Sequence, residues 1–259
     1  MRVAIVGKGG TGKTTISGTL ARVLARRGRS VLAIDADTTP NLAVTLGVPA
    51  ETAMHMIELP RNMMQRQEQE DGTTKSVFVA DSEQIISQYS AVGPDGVRLL
   101  VMGSVNHGGA GCLCSAHGAV RGLLGEIVER GDDSRDILVD MEAGLEHISR
   151  GTGRHLSQFI ATIEPYYRSM EVASRVTALA REVGVLDVVA VATKVRDDED
   201  RKAIESFCAA HSMTLVGEIP FDPSLMEAER VGKTPIDHDP DSPAVQAIER
   251  LADSLTQAA

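Results

Sequence analysis

The sequence feature that most constrains this chain is a glycine-rich loop close to its first residue. Residues 7–14 read GKGGTGKT and fit the pattern G-x-x-x-x-G-K-[ST]. Glycines let backbone N–H groups curve around phosphate oxygens without Cβ clashes, and a helix that begins near Lys13 points its positive end at the same anion. The loop therefore predicts a nucleotide phosphate site between a first strand and a first helix.

The residue types of this loop predict individual roles. We expect the Lys13 ammonium to bind the β- and γ-phosphates and the Thr14 hydroxyl to ligate Mg²⁺. The other expected contacts to the nucleotide phosphates come from Gly9, Gly10, Thr11, Gly12 and Thr15.

A dinucleotide site is the alternative for the same loop. Residues 7–12 also fit G-x-G-x-x-G, and Asp35 ends the next predicted strand, where an acid that binds ribose would lie. That hypothesis leaves Lys13 without a role and gives none to Asp37 or Asp140. The phosphate-loop hypothesis uses all of these residues and is favoured.

Apolar runs alternate with helical patterns along the chain, which predicts an α/β fold with a doubly wound, mostly parallel sheet flanked by helices. The expected strands are 2–6, 30–34, 97–102, 136–139, 159–163, 188–193 and 215–219, and the expected helices are 14–27, 118–129, 169–183, 199–210 and 242–255. We expect a single domain over 1–259, interrupted at 51–94 by an irregular insertion whose methionines pack on the sheet.

Composition argues against several classes of partner. With 26 basic and 36 acidic residues the formal net charge is −10, so neither nucleic acid nor an anionic membrane is an expected partner. No apolar run reaches about 18 residues, so no transmembrane helix is expected. Three cysteines, two of them one residue apart, do not suggest a disulfide framework, and a cytoplasmic location follows as an expectation.

The second residue of the loop indicates which class of nucleotide-binding protein this chain resembles. Lys8 gives the sequence K-G-G-T-G-K-T, which resembles the deviant Walker A motif of the ATPases that include MinD and ParA, the nitrogenase iron protein and metal-insertion ATPases. The resemblance implies a homodimer in which Lys8 reaches the partner's nucleotide. There it would add positive charge at the transferred phosphoryl group, as an arginine finger does.

Two acidic segments resemble the switch regions of that family. In the first, Asp37 is the candidate for orienting the attacking water, and Asp35 would hold a water bound to Mg²⁺. In the second, which reads D-M-E-A-G, Asp140 would lie beside the Mg²⁺ waters and Gly144 would be the hinge that responds to the γ-phosphate. For Asp140 and Glu142, the alternative is a structural role at the end of a strand.

A cysteine pair in a glycine-rich stretch suggests a second metal. Cys112 and Cys114 supply two thiolates, whereas a zinc site usually has four ligands, so two chains across a two-fold axis would complete a site for Zn²⁺ or Ni²⁺. His107 and His117 flank the pair and make a one-chain site the alternative, although His117 is also placed to cap or begin a helix. Cys208 is expected to be buried and inert.

The chain as a whole resembles the accessory ATPases of carbon monoxide dehydrogenase, of the CooC type. The resemblance rests on the Walker A loop, the C-x-C pair, the segment at 140–147, the turn at 150–152 and the segment at 164–169. It implies an ATP-dependent nickel-insertion or maturation factor whose client is a nickel enzyme. The accessory factors of acetyl-CoA synthase are similar and remain an alternative.

The family resemblance also implies where the adenine is held. A polar residue after a late strand and an Ile-Pro-aromatic turn serve this role in the family, and here those places hold Thr193, Lys194, Pro220 and Phe221. Thr193 departs from the expected asparagine.

Two other functions remain open from the sequence. A positioning ATPase like MinD or ParA should carry a basic C-terminal helix or a basic DNA-binding face, which the segment at 244–255 does not provide. An electron-transfer ATPase with a dimer-bridging [4Fe–4S] cluster should carry a cysteine near Asp140, where there is none.

Overall fold

The computed structural model of the protein describes residues 1–60, 63–68, 73–103, 114–131, 133–142, 152–185 and 187–257. In chain order, the strands β1 to β10 are Arg2–Gly7, Val31–Ala36, Met64–Glu68, Thr74–Phe78, Ala91–Val92, Arg98–Val101, Asp136–Met141, Gln158–Ile163, Asp187–Val195 and Thr214–Pro220. The helices α1 to α10 are Lys13–Arg26, Leu42–Leu46, Ala50–Met54, Ser82–Tyr89, Cys114–Arg130, Tyr167–Glu182, Asp198–Ala210, Pro223–Arg230, Pro235–His238 and Pro243–Gln257.

Eight of these strands form one sheet in the order β10-β9-β8-β1-β7-β2-β6-β5. The pairs are parallel except for the short edge strand β5, which runs antiparallel to β6. The predicted mostly parallel sheet flanked by helices is confirmed. Within the described ranges, no helix is long and apolar enough to cross a membrane.

The inner strands are apolar on both faces because helices cover both sides of the sheet. Side chains alternate between two cores: Ala4 and Val6 of β1 face one, and Val3 and Ile5 face the other. The first core includes residues of α5, α6 and α7, and the second includes residues of α1 and α10. This packing fixes the carboxyl ends of the strands, where the loops of a doubly wound fold carry its sites.

Several elements are longer than predicted, because hydrogen-bonded ladders continue past the first polar residue. Strand β7 includes Asp140, one residue past its predicted end, and β9 includes Lys194, one residue past its predicted end. Helix α5 begins at Cys114, four residues before the predicted start at 118. These residues were expected to follow strands or precede a helix.

The described residues of the segment at 51–94, which was expected to be an irregular insertion, include regular elements. The segment contains α4, the edge strand β5 and an antiparallel β3–β4 hairpin. The hairpin strands are largely polar and carry little hydrophobic periodicity, which explains why the sequence pattern did not reveal them. They are held instead by packing on α5, where a Cβ at Gly122 would lie 2.5 Å from Phe78 and 2.8 Å from the Met64 sulfur.

The methionines of this segment do not share one role. Met63 is buried in the core, Met64 packs on α5, and Met54 is 79% exposed. The expectation that they pack on the sheet is therefore wrong for Met54.

Candidate active site

The phosphate loop joins β1 to α1 in the conformation that its glycines allow. Gly10 and Gly12 have φ of 84° and 87°, a left-handed region that residues with a Cβ rarely adopt. The Thr11 hydroxyl donates to the Lys8 carbonyl at 2.8 Å and lies 2.7 Å from the Thr162 hydroxyl on β8. The loop is thus anchored to the strand beside it.

Lys13, the first residue of α1, has its ammonium inside the loop. Its Nζ donates to the Lys8 carbonyl at 3.3 Å, and the side chain is buried. Burial lowers the pKa of Lys13, while the carboxylates of Asp140, Asp37 and Glu142 act to raise it. The site therefore holds a desolvated ammonium surrounded by acids.

Two of the acids lie side by side on neighbouring strands. Asp35 of β2 pairs in register with Asp140 of β7, and both are buried. Burial raises the pKa of Asp35 to about 6, although the carboxylate accepts bonds from the Leu42 and Asp37 amides at 2.9 and 3.1 Å. Burial also raises the pKa of Asp140 to about 7, and the charge of Asp35 adds to the effect.

The surroundings of Asp140 fit a bound Mg²⁺. Its carboxylate accepts a hydrogen bond from the Ser17 hydroxyl at 3.1 Å and another from Thr14. A hydroxyl and two buried carboxylates that resist ionisation form a donor set of hard oxygens, and a divalent cation would offset their charge.

The first switch segment and Lys8 lie more openly. The Asp37 carboxylate accepts bonds from the Thr39 amide at 2.8 Å and from its hydroxyl at 3.0 Å. Lys8 is partly exposed, with its Nζ 3.4 Å from the Gly9 carbonyl. A contact that the sequence did not suggest joins Thr38 to Glu142, with the hydroxyl donating to Oε1 at 2.9 Å.

A cavity of about 490 Å³ extends from the phosphate loop to the ends of β9 and β10. It brings the loop together with the four expected adenine contacts; its lining includes Thr11, Lys13, Thr14, Thr15, Thr193, Lys194, Pro220 and Phe221. Helix α8 contributes further lining residues that the sequence did not single out: Leu225, Met226 and Glu229. The only sequence signal for them is their position just after the Ile-Pro-Phe turn.

Two residues of β9 contribute polar groups to this cavity. Thr193 is buried, and its hydroxyl has no hydrogen-bond partner among the described residues. Because buried polar groups are normally hydrogen-bonded, this hydroxyl is available to a ligand. Lys194, with φ of 56°, donates from Nζ to the Gly10 carbonyl at 2.5 Å and pairs with Glu164 at 2.8 Å. Glu164 was not assigned an individual role from the sequence, and it ties Lys194 and the phosphate loop to the end of β8.

Two residues of the expected transition-metal site, Cys112 and His107, lie outside the described residues. Gly144 of the second switch segment also lies outside them. Cys114 is the first residue of α5, and His117 is buried in the first turn of that helix. In the ranges that the structure describes, no group of three or more His, Cys, Asp or Glu side chains could hold a metal ion. Cys208 is buried, as expected, and burial raises the pKa of its thiol.

Comparison with known proteins identifies the family. Residues 3–236 match the CobQ/CobB/MinD/ParA nucleotide binding domain. The chain belongs to this family. Its fold is that of MinD from Pyrococcus horikoshii, a structure described in complex with Mg-ADP, with a TM-score of 0.73 and 23% identity over 99% of this chain and 96% of that one.

Relatives within the family carry the resemblance further. The chain is 37% identical over 243 residues to the carbon monoxide dehydrogenase accessory protein CooC of Rhodospirillum rubrum, which covers 93% of this chain and 91% of that protein. It is 32% identical over 257 residues to an uncharacterized ATP-binding protein of Methanocaldococcus jannaschii, covering 97% and 96%. The chain is thus an ATPase of the MinD, ParA and CooC type, which favours the phosphate-loop hypothesis over a dinucleotide site.

Proposed function

We propose that this ATPase is an accessory factor in the maturation of a carbon monoxide dehydrogenase type of nickel enzyme. The observation that carries the proposal is the 37% identity to CooC over 93% of the chain. We further propose a metal-handling step. Two copies dimerise around ATP, hold Ni²⁺ or Zn²⁺ between Cys112 and Cys114 of each copy, and deliver nickel to the client. An acetyl-CoA synthase type of client would follow the same chemistry.

The residues around the cavity divide the work of ATP hydrolysis. The Lys13 ammonium binds the β- and γ-phosphates, the Asp37 carboxylate orients the attacking water, and Lys8 of one copy reaches the nucleotide of the other. Mg²⁺, held by Thr14 with Asp35 and Asp140 near its waters, would neutralise charge on the phosphates. The remaining phosphate contacts are Gly9, Gly10, Thr11, Gly12 and Thr15, and Gly144 is the hinge after the second switch.

The adenine occupies the far end of the cavity in this proposal. Thr193 offers a buried hydroxyl, and Pro220 and Phe221 offer apolar surface at the end of β10. Lys194 acts on the phosphate loop itself through the Gly10 carbonyl.

The sheet supports coupling between nucleotide and cysteines. Strand β6 pairs with β2 so that Val101 lies opposite Asp35, and the Met102 amide donates to the Asp35 carbonyl at 2.8 Å. The segment with Cys112 begins two residues later and ends where α5 begins, at Cys114. A single strand, β6, therefore connects Asp35 to the cysteine-bearing segment, so a rearrangement at Asp35 could be transmitted through it.

Metal stoichiometry tests the proposed metal site that two copies share. Purified anaerobically and titrated with Ni²⁺ and with Zn²⁺, the protein should bind half an equivalent per chain in native mass spectrometry, in a dimer only. Cys112→Ala/Cys114→Ala should lose this binding, while Cys208→Ala, which removes the buried third thiol, should keep it. One equivalent per monomer would contradict the shared site and favour the site with His107 and His117.

The same proposal includes the cell compartment and the excluded partners. We place residues 1–259 in the cytoplasm as a single ATPase domain, with neither nucleic acid nor membrane as partner. The net charge of −10 supports the exclusion of these two partners, since nucleic acid and anionic membranes would repel the protein.

A further inference from the structure

The hydrogen bond between Thr38 and Glu142 joins the two acidic segments of the site. Ala36 of β2 lies opposite Met141 of β7, so the chain leaves both strands side by side. Thr38 follows Asp37, and its hydroxyl donates to Glu142 Oε1 at 2.9 Å. One side-chain contact therefore connects the segment of the water-orienting acid to that of the acid beside Mg²⁺.

Glu142 also acts on the phosphate-binding lysine. Apart from burial, which lowers the pKa of Lys13, the influences that raise it come from Asp140, Asp37 and Glu142 in that order. Asp140 is bonded to Ser17 and Thr14, and Asp37 is bonded to Thr39. Glu142 is the third carboxylate whose charge acts on the ammonium, and the nucleotide chemistry described above gives it no role.

A carboxylate in this place distinguishes two nucleotides by charge. A γ-phosphate bound at Lys13 adds negative charge beside an ammonium on which the Glu142 carboxylate already acts, whereas a diphosphate does not add that charge. Repulsion between like charges grows as they leave water, and the side chain of Lys13 is itself buried. The penalty therefore falls mainly on the triphosphate.

We propose that Glu142 is a specificity-determining residue of the nucleotide site, which weakens binding of the triphosphate relative to the diphosphate. A bound γ-phosphate displaces the carboxylate and breaks its hydrogen bond with Thr38, which releases the segment after Asp37. The inference rests on the phosphate site of the proposed function, but on neither its transition metal nor its client.

Binding constants of Glu142→Gln test the charge. The measurement is isothermal titration with Mg-ADP and with a non-hydrolysable Mg-ATP analogue. The analogue should bind to Glu142→Gln about fivefold more tightly than it binds to the wild type. ADP should change by less than about twofold, and the gain for the analogue should shrink in high salt because the effect is electrostatic. Glu249→Gln, an exposed acid on α10, is the matched control and should change neither constant.

Thr38→Val tests the hydrogen bond while it keeps the charge. Without nucleotide, amide hydrogen exchange at Thr39 and Asn41 should rise in this variant to the level that the wild type reaches with the analogue. Equal changes for analogue and ADP in Glu142→Gln, or weaker binding of the analogue, would overturn the proposal, as would unchanged exchange in Thr38→Val. Lys13→Ala separates the role of Glu142 from the phosphate site on which it rests. If Lys13→Ala keeps its affinity for the analogue, the phosphate site of the proposed function is wrong.

Discussion

Asp37 and Lys194 show how differently single residues at this site are held. The Asp37 carboxylate binds only within its own turn, to Thr39 among the described residues, so it can turn toward a water without loss to the core. The Lys194 ammonium is fixed between the Gly10 carbonyl and the Glu164 carboxylate. The first arrangement suits a group that acts in hydrolysis, and the second suits a group that shapes the phosphate loop.

Substitution of Asp37 should separate hydrolysis from binding. Asp37→Ala should slow ATP hydrolysis by about 10²- to 10⁴-fold, because the attacking water loses its orienting carboxylate. ATP affinity should stay within a few fold, since Lys13 and the loop amides remain. Steady-state phosphate release and equilibrium titration measure the two quantities. Thr39→Ala, which keeps the carboxylate, is the control, and loss of ATP binding in Asp37→Ala would refute the assigned role.

Among the elements, the polar β3–β4 hairpin was the hardest to predict from the sequence. The strands β1, β2 and β7 could be predicted because buried parallel strands are continuous apolar runs. The hairpin could not, because its stability comes from Met64 and Phe78 packing over a glycine of another element, a contact that no local pattern records.

The two glycines of α5 under the hairpin should respond oppositely to alanine. At Gly122 a Cβ would lie 2.5 Å from Phe78, so Gly122→Ala should lower the free energy of unfolding by about 1–3 kcal/mol through overpacking. At Gly118 the nearest atom is 3.6 Å away, so Gly118→Ala should be neutral or stabilise the helix by up to about 1 kcal/mol. Urea unfolding of both variants measures this, and equal effects would show that the hairpin does not pack there.

Asp222 joins the beginnings of α8 and α10 beside the nucleotide cavity. Its carboxylate accepts bonds from the Ser224 amide at 2.9 Å and from the Ala244 amide at 3.1 Å. Burial alone would raise the pKa of Asp222, but the bonds from Ala244, Ser224 and Ser242 outweigh it and lower the pKa. The ionised form therefore stabilises the fold.

This cap predicts a pH-dependent contribution to stability. Asp222→Asn should cost about 1–2 kcal/mol of unfolding free energy above pH 5, because the charged cap is lost. A carboxyl with a depressed folded pKa contributes fully above its unfolded pKa, about 3.9, and loses that contribution as the pH falls through the folded value. The difference between wild type and variant, measured by denaturant unfolding, should thus shrink below about pH 4. A difference that grows in acid would contradict the assignment.

At the scale of the whole molecule, strand order explains why distant motifs form one site. The ends of β1, β7 and β2 are neighbours, so the phosphate loop, Asp140 and Asp35 meet although they lie far apart in sequence. The places of the phosphate loop and of the acids at the ends of β2 and β7 could be predicted from motif and spacing. The partnership of Thr38 with Glu142, the link from Lys194 to Glu164 and the wall formed by α8 could not, because each depends on side-chain positions that arise only in the folded sheet.

We propose that ATP hydrolysis by this chain serves the maturation of a nickel enzyme through Cys112 and Cys114. The most direct measurement is the activation of a nickel-free carbon monoxide dehydrogenase by limiting Ni²⁺ in the presence of this protein and Mg-ATP. We expect the wild type and Cys208→Ala to accelerate activation, and Lys13→Ala and Cys112→Ala/Cys114→Ala not to accelerate it. Activation that is equally fast with the double cysteine variant, or without ATP, would contradict it.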